Sequence, residues 1–250
     1  MASTSEDGTP RNPLTQPAFL GSAVVVALIV VFGLVLAFSE SEPGTATEAP
    51  PPAPSPTTPS ASETKGSASV CGLSAGDQEV PTTAPTNTRW ELVGRMVAPT
   101  ATTSHGPART NDGLRTCFAH SPLGALYASV NVVASTTAPD LWERLVRDLA
   151  VEGRGRDRAL EEIGSETAVD VENTKIQVAG FSFTSYDRSN AVVNLAFQAD
   201  SGGTSGFLQL PVALQWEDGD WKFAVADDGD PFTGLGQIPN LDSYVEWSGA

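Results

Sequence analysis

The chain has 250 residues, with 14 Lys and Arg against 30 Asp and Glu, for a formal net charge of −16. A surface of that sign repels phosphate backbones and disfavours direct nucleic-acid binding. Two histidines and two cysteines, with no CxxC pair, offer little to a metal site.

Between Arg11 and Glu40 no residue is charged, and Ala18 to Phe38 is close to a solid block of Val, Leu, Ile, Ala and Phe. At about 1.5 Å per residue the block is about 31 Å long, the thickness of a bilayer core. A transmembrane helix over 18–38 is the expectation. A cleaved signal peptide competes, but this apolar region is too long for one and Glu6 and Asp7 precede it. A buried helix of a soluble domain is the third reading. Arg11 lies just before the block and the first basic residue after it is Lys65. That asymmetry makes residues 1–17 a short cytoplasmic tail and sends the remainder out of the cytoplasm.

Residues 39–69 hold Pro50, Pro51, Pro52, Pro54, Pro56 and Pro59 among Ser, Thr, Ala and Glu. Such a stretch buries almost nothing and favours extended geometry, so it is expected to be a disordered linker. Residues 70–250 remain, enough for one domain with a real core. Cys71 and Cys117 both fall there. An even pair outside the cytoplasm suggests a disulfide, with two independent free thiols as the alternative. A bridge would close a loop of about 46 residues, contributing on the order of 4 kcal/mol.

Trp90 to Val97 is expected to be a short strand with Trp90 and Leu92 on one face, followed by a loop from Pro99 to Pro107. Ser121-Pro122 has a capping hydroxyl and a proline at the first helical position. Leu123, Leu126, Tyr127, Val130 and Val133 then follow at helical spacing as one apolar face. A second helix begins near Pro139-Asp140, carries Leu141, Leu145 and Leu149, and breaks at Gly153 and Gly155. Leu160 and Ile163 suggest one further short turn ending at Gly164.

The period then changes to two. Ile176 and Val178 alternate, the phase slips at Ala179-Gly180, and Phe181 and Phe183 resume, as in a bulged strand. Val193, Leu195 and Phe197 mark a second strand. After a turn at Gly202-Gly203, a third carries Leu208, Leu210, Val212, Leu214 and Trp216. Pro211 within it implies an edge or a backbone position that pairs with nothing. Asp218-Gly219 fits a two-residue type I′ hairpin. Its register sets Trp216 opposite Trp221, Leu214 opposite Phe223 and Val212 opposite Val225, with Gln215 and Lys222 on the other face. Helices followed by an antiparallel meander describe an α+β domain, with the helix cluster covering the concave side of a bent sheet.

Few residues suggest chemistry. His105 falls in a loop and His120 just before a helix, and no GxSxG, HExxH or phosphate-binding glycine loop is present. Asp227-Asp228-Gly229-Asp230 lacks the ligand spacing of a calcium loop. The basic run Arg154-Gly155-Arg156-Asp157-Arg158 is interleaved with acid and is expected to be a solvated connection. Glu161-Glu162 is expected on helix surface. Trp142 and the hairpin tryptophans, Trp216 and Trp221, suit a packed core, with a ligand pocket as the alternative. No catalytic residue, cofactor or metal ligand is expected.

The plan resembles that of inner-membrane scaffold proteins of type IV secretion and conjugation machines, whose exported part is a cystatin-related, nuclear transport factor 2-like cone. Val70-Cys71-Gly72-Leu73-Ser74-Ala75-Gly76-Asp77, Arg89-Trp90-Glu91-Leu92-Val93-Gly94 and Cys117-Phe118-Ala119-His120-Ser121-Pro122 are similar to stretches of small membrane-anchored proteins encoded with conjugative elements of high-GC Gram-positive bacteria. The resemblance covers roughly residues 70 to 250. It implies a non-enzymatic scaffold at the cell membrane, N-terminus in the cytoplasm, that contacts lipid through one helix and other proteins, including copies of itself, through its exported domain. The paired cysteines depart from the general secretion scaffolds. An extracytoplasmic ligand-binding accessory protein of a transport system is the alternative.

Overall fold

The computed structural model describes residues 68–163 and 174–249. The expected tail, transmembrane helix, linker up to residue 67, and Gly164 lie outside the described residues. Among the described residues no helix is long and apolar enough to cross a membrane.

The described chain is an α+β domain. Two small hairpins come first, β1 (Arg89–Val93) with β2 (Met96–Thr100) and β3 (Arg109–Asn111) with β4 (Leu114–Thr116). Three helices follow: α1 (Pro122–Thr136), α2 (Pro139–Leu149) and α3 (Arg154–Ile163). The main sheet comprises β5 (Thr174–Tyr186), β6 (Asn190–Ser201), β7 (Thr204–Glu217), β8 (Asp220–Phe223), β9 (Gly236–Ile238) and β10 (Val245–Glu246). Its order is β10-β5-β6-β7-β8, with β9 also on β7, and every pairing is antiparallel.

Helix α1 starts where its cap signal lies, the Ser121 Oγ accepting the Gly124 N–H at 3.1 Å. The expectation of a single apolar face does not hold, because thirteen of its fifteen residues are buried. Ala, Gly and Ser occupy the sides left by the large residues, so strands, hairpins and α2 approach on every side. The buried hydroxyls of Ser129 and Ser135 are satisfied within the helix, donating to the Leu126 and Asn131 carbonyls, whereas Asn131 Nδ2 donates to the Pro99 carbonyl of β2 as well as to that of Tyr127. Helix α2 buries Leu141, Leu145 and Leu149 as its spacing requires.

Further expectations need correction. The single strand over Trp90–Val97 is a hairpin, because Gly94 has φ +57° and turns the chain back. Trp90 packs on Trp247, whereas Leu92, on the same face but near the tip, is 71% exposed. Pro99 and Thr100 belong to β2, not to a loop. The break at Gly155 and short turn at Leu160–Ile163 are instead one ten-residue helix, α3, with Gly155 in its first turn. There a Cβ would sit 2.2 Å from the Val225 carbonyl oxygen, so the glycine permits close packing rather than ending a helix.

The β5 slip is where the alternation places it, between Val178 and Gly180, and a second irregularity lies between Phe183 and Ser185. Pro211 lies inside the sheet rather than at its edge. Its ring nitrogen falls on the side of β7 where β8 reaches only Leu214 and β9 only Gln209, so no ladder bond is lost. The hairpin register is as expected for Trp216–Trp221 and Leu214–Phe223. The expected Val212–Val225 pair does not form. After Phe223 one further bond joins the Ala224 N–H to the Ala213 carbonyl, and the chain then leaves to meet Gly155.

Because β9 and β10 sit on opposite sides of the β5–β7 ribbon, residues 239–244 cross the sheet face turned away from the helices. Gly180, Ala196 and Gln209 form a row of register neighbours there. The Tyr244 hydroxyl bonds Gln209 Oε1 at 2.8 Å, and Ala196 is fully buried beneath the crossing chain. The tail then passes the β5 edge and sets Trp247 among Trp90, Tyr127 and Phe181.

Candidate functional site

The residues singled out by sequence converge at one junction. Cys71 and Cys117 form a disulfide, with Cα atoms 6.0 Å apart, and neither thiol is free. Cys117 opens the irregular link between β4 and α1, with φ +74°, a conformation that few side chains adopt. Tip residues Asp218 and Gly219 have φ +53° and +78°, as a type I′ turn demands.

Asp220, which the hairpin register alone does not single out, joins the two. Its carboxylate accepts the N–H of Cys117 at 2.6 Å, of Phe118 at 2.8 Å and of Trp221 at 2.9 Å. Only 6% exposed, it is a buried acid. Burial pushes its carboxyl above the ordinary value, against the three N–H donors and the charge of Lys222. Trp221 adds a bond from its indole N–H to the Ala119 carbonyl at 2.9 Å. His120 stacks on Trp216 with centroids 4.0 Å apart and its Nε2 bonds the Arg188 carbonyl. Asp220, Trp221 and His120 thus each bind backbone of another segment, while Asp218 pairs with Lys222 at 2.6 Å.

Signals for these contacts were present in the sequence. The acid after the Asp-Gly turn and the tryptophan beside it were visible, but their partners lie 102 residues or more away. The second Asp-Gly turn, Asp112 and Gly113 with φ +46° and +85°, joins β3 to β4. Its flanks Arg109, Thr110 and Asn111 are exposed and polar, so no apolar alternation marks it. Arg115 of β4 is buried, pairs with Glu91 at 2.6 Å and lies 3.5 Å from Asn131 Oδ1.

The remaining candidates fall elsewhere. His105 lies in the turn closed by the Ala101–Gly106 bridge, and burial lowers its pKa. The arginine run is solvated as expected but heads helix α3 rather than forming a connection, and Arg154 makes an exposed pair with Asp227 of the acidic loop at 3.4 Å. Arg158 pairs with Glu161 and Glu162, which lie on the helix surface as expected. Asp228 and Asp230 side chains accept N–H groups of their own loop, from Asp230 and Phe232. Among the described residues no group of three His, Cys, Asp or Glu could hold a metal ion. Trp142 packs against the core.

These features define a disulfide-stapled α+β domain with its helices packed on one face of an antiparallel sheet. The chain belongs to the family described as "Domain of unknown function (DUF8175)", whose model matches residues 49–246. No curated protein and no solved structure matches the chain.

Proposed function

We propose that this chain is a single-pass membrane protein whose stapled domain stands outside the cytoplasm and serves as a scaffold in a conjugation or secretion apparatus. The observation that carries the reading is the Cys71–Cys117 disulfide, since such bonds persist in oxidising compartments. The apolar run Ala18–Phe38 supplies the anchor, and the family match begins after it, at residue 49. Helices on one face of a bulged antiparallel sheet support the finer reading of the fold as a cone of the nuclear transport factor 2-like kind. The acidic surface favours protein partners over nucleic acid.

Membrane fractionation of cells making the full chain tests the anchor. Added protease tests the side, and crosslinking in cells tests for partners. The expected result is a membrane-bound chain whose domain is cut from outside, crosslinked to other membrane-complex proteins, with DNA transfer impaired on deletion. A soluble product, or a solitary one with unimpaired transfer, overturns the reading.

A further inference from the structure

We propose that β1 is a self-association edge, at which two copies of this chain pair antiparallel through Arg89–Val93 with Trp90 facing Trp90 of the second copy. The hairpin geometry shows which way its polar groups point. The two-residue loop Gly94-Arg95 makes Val93 and Met96 a hydrogen-bonded pair, so Leu92 opposite Val97 and Trp90 opposite Pro99 share no ladder bonds. Val97 confirms the phase, because its N–H and carbonyl turn away from β1 to the Gln177 side-chain amide, at 3.2 and 3.3 Å. The Pro99 carbonyl likewise accepts from Asn131 Nδ2 at 3.0 Å. By the same alternation, the N–H and carbonyl of Trp90 and of Leu92 point away from β2. Among the described residues nothing pairs with them.

Other edges are treated differently. Those two side-chain amides close the far side of β2, and the Val151 N–H closes the outer side of β8 by bonding the Phe223 carbonyl at 2.9 Å. Strand β1 has neither a proline nor a bulge to keep it from pairing, and its Leu92 is 71% exposed.

Charge selects both the occupant and the register. A symmetric antiparallel pair brings the outward groups together with its two-fold axis at Trp90, Glu91 or Leu92. An axis at Glu91 sets Glu91 against itself, and one at Leu92 sets Arg89 against Arg95, so both oppose like charges. An axis at Trp90 instead sets Arg89 against Glu91, twice. Arg89 is exposed and makes no ion pair among the described residues. Glu91 holds Arg115 through Oε2 but is 56% exposed, which leaves Oε1 to accept a second guanidinium. The same axis brings Leu92 diagonally beside Trp90 of the second copy, within reach of an aromatic ring. The strand is thus complementary to itself, and a second copy supplies the matching sequence.

The pairing deepens the scaffold reading and rests on it for its purpose, since copies anchored in one membrane meet at raised effective concentration. Its test uses neither membrane topology nor DNA transfer, so its failure leaves those experiments standing. Sedimentation of the full-length chain in detergent is expected to show a reversible dimer. Arg89→Glu turns two attractive cross-strand pairs repulsive and is expected to raise the dissociation constant by about tenfold or more. Leu92→Pro removes an N–H that β2 does not use and is expected to give the monomer. Arg89→Lys is expected to keep the dimer. Carbodiimide should then join the amine introduced at position 89 to Glu91 of the other copy, as mass spectrometry of mixed isotope-labelled and unlabelled chains would locate. A monomeric parent chain overturns the pairing. So does a dimer that survives Arg89→Glu, which the apolar runs in the micelle or another surface would then hold, or a cross-link that maps elsewhere. Should Leu92→Pro disturb the hairpin, Arg89→Glu decides, because that side chain has no partner in the described fold to lose.

Discussion

The carboxylate of Asp220 takes the N–H of Cys117 at 2.6 Å, joining residues 103 apart in the chain. That single acid holds the N-terminal lead of α1 against the last hairpin, at the point where the disulfide also arrives.

Replacing Asp220 therefore tests the junction. In Asp220→Asn one oxygen remains, but the new NH2 group must face the N–H of Cys117 or Phe118, leaving donors opposed in a buried site. We expect a loss of about 2 kcal/mol, and more for Asp220→Ala, read as a lower urea midpoint at unchanged slope in the oxidised protein. An unchanged midpoint would show that these bonds do not stabilise the fold.

Gly155→Ala separates helix propensity from packing. Propensity alone predicts a gain of about 1 kcal/mol at this helical site. The Val225 and Ala226 carbonyl oxygens, 2.2 and 2.5 Å from the added Cβ, predict a loss of about 2 kcal/mol instead. The sign of the shift in thermal midpoint decides between them.

The three tyrosines of the chain form a pH probe. Burial raises Tyr186 to about 12, and raises Tyr127 and Tyr244 above their ordinary value of 10.0. A raised folded pKa gives stability that is whole below the unfolded value near 10 and is lost as pH climbs through the folded value. Ultraviolet absorbance of tyrosinate should rise at higher pH in the native protein than in the unfolded chain, the Tyr186 increment coming last. In guanidinium chloride the midpoint should return to about 10. A native midpoint at 10 would mean that the rings are wet.

Cys71→Ser with Cys117→Ser should lower stability by on the order of 4 kcal/mol, from the 46-residue separation that the bridge spans. Urea unfolding of the oxidised parent against the double variant measures it. Coincident curves would place the bridge's effect outside equilibrium stability.

Local pattern settled much of the fold. Ser121-Pro122 set the start of α1, the slip at Ala179-Gly180 located the bulge, and Asp218-Gly219 with its flanking tryptophans set the register of β7 against β8. Each is a short-range signal, in which a few neighbouring residues restrict φ, ψ or the facing of side chains. What failed depended on distant atoms. Gly155 spelled a break until the Val225 backbone was beside it, and the single strand over Trp90–Val97 held until Gly94 turned it into a hairpin.

The sequence by itself determined the acidic charge, the long apolar run and the helix-then-sheet order, all properties of consecutive residues. Only the tertiary structure decided that Asp220 meets Cys117 and Phe118, that Arg154 meets Asp227, and that Tyr244 reaches Gln209. Each of those contacts closes a gap of 35 residues or more, and no local periodicity encodes which distant backbone a buried polar group will find.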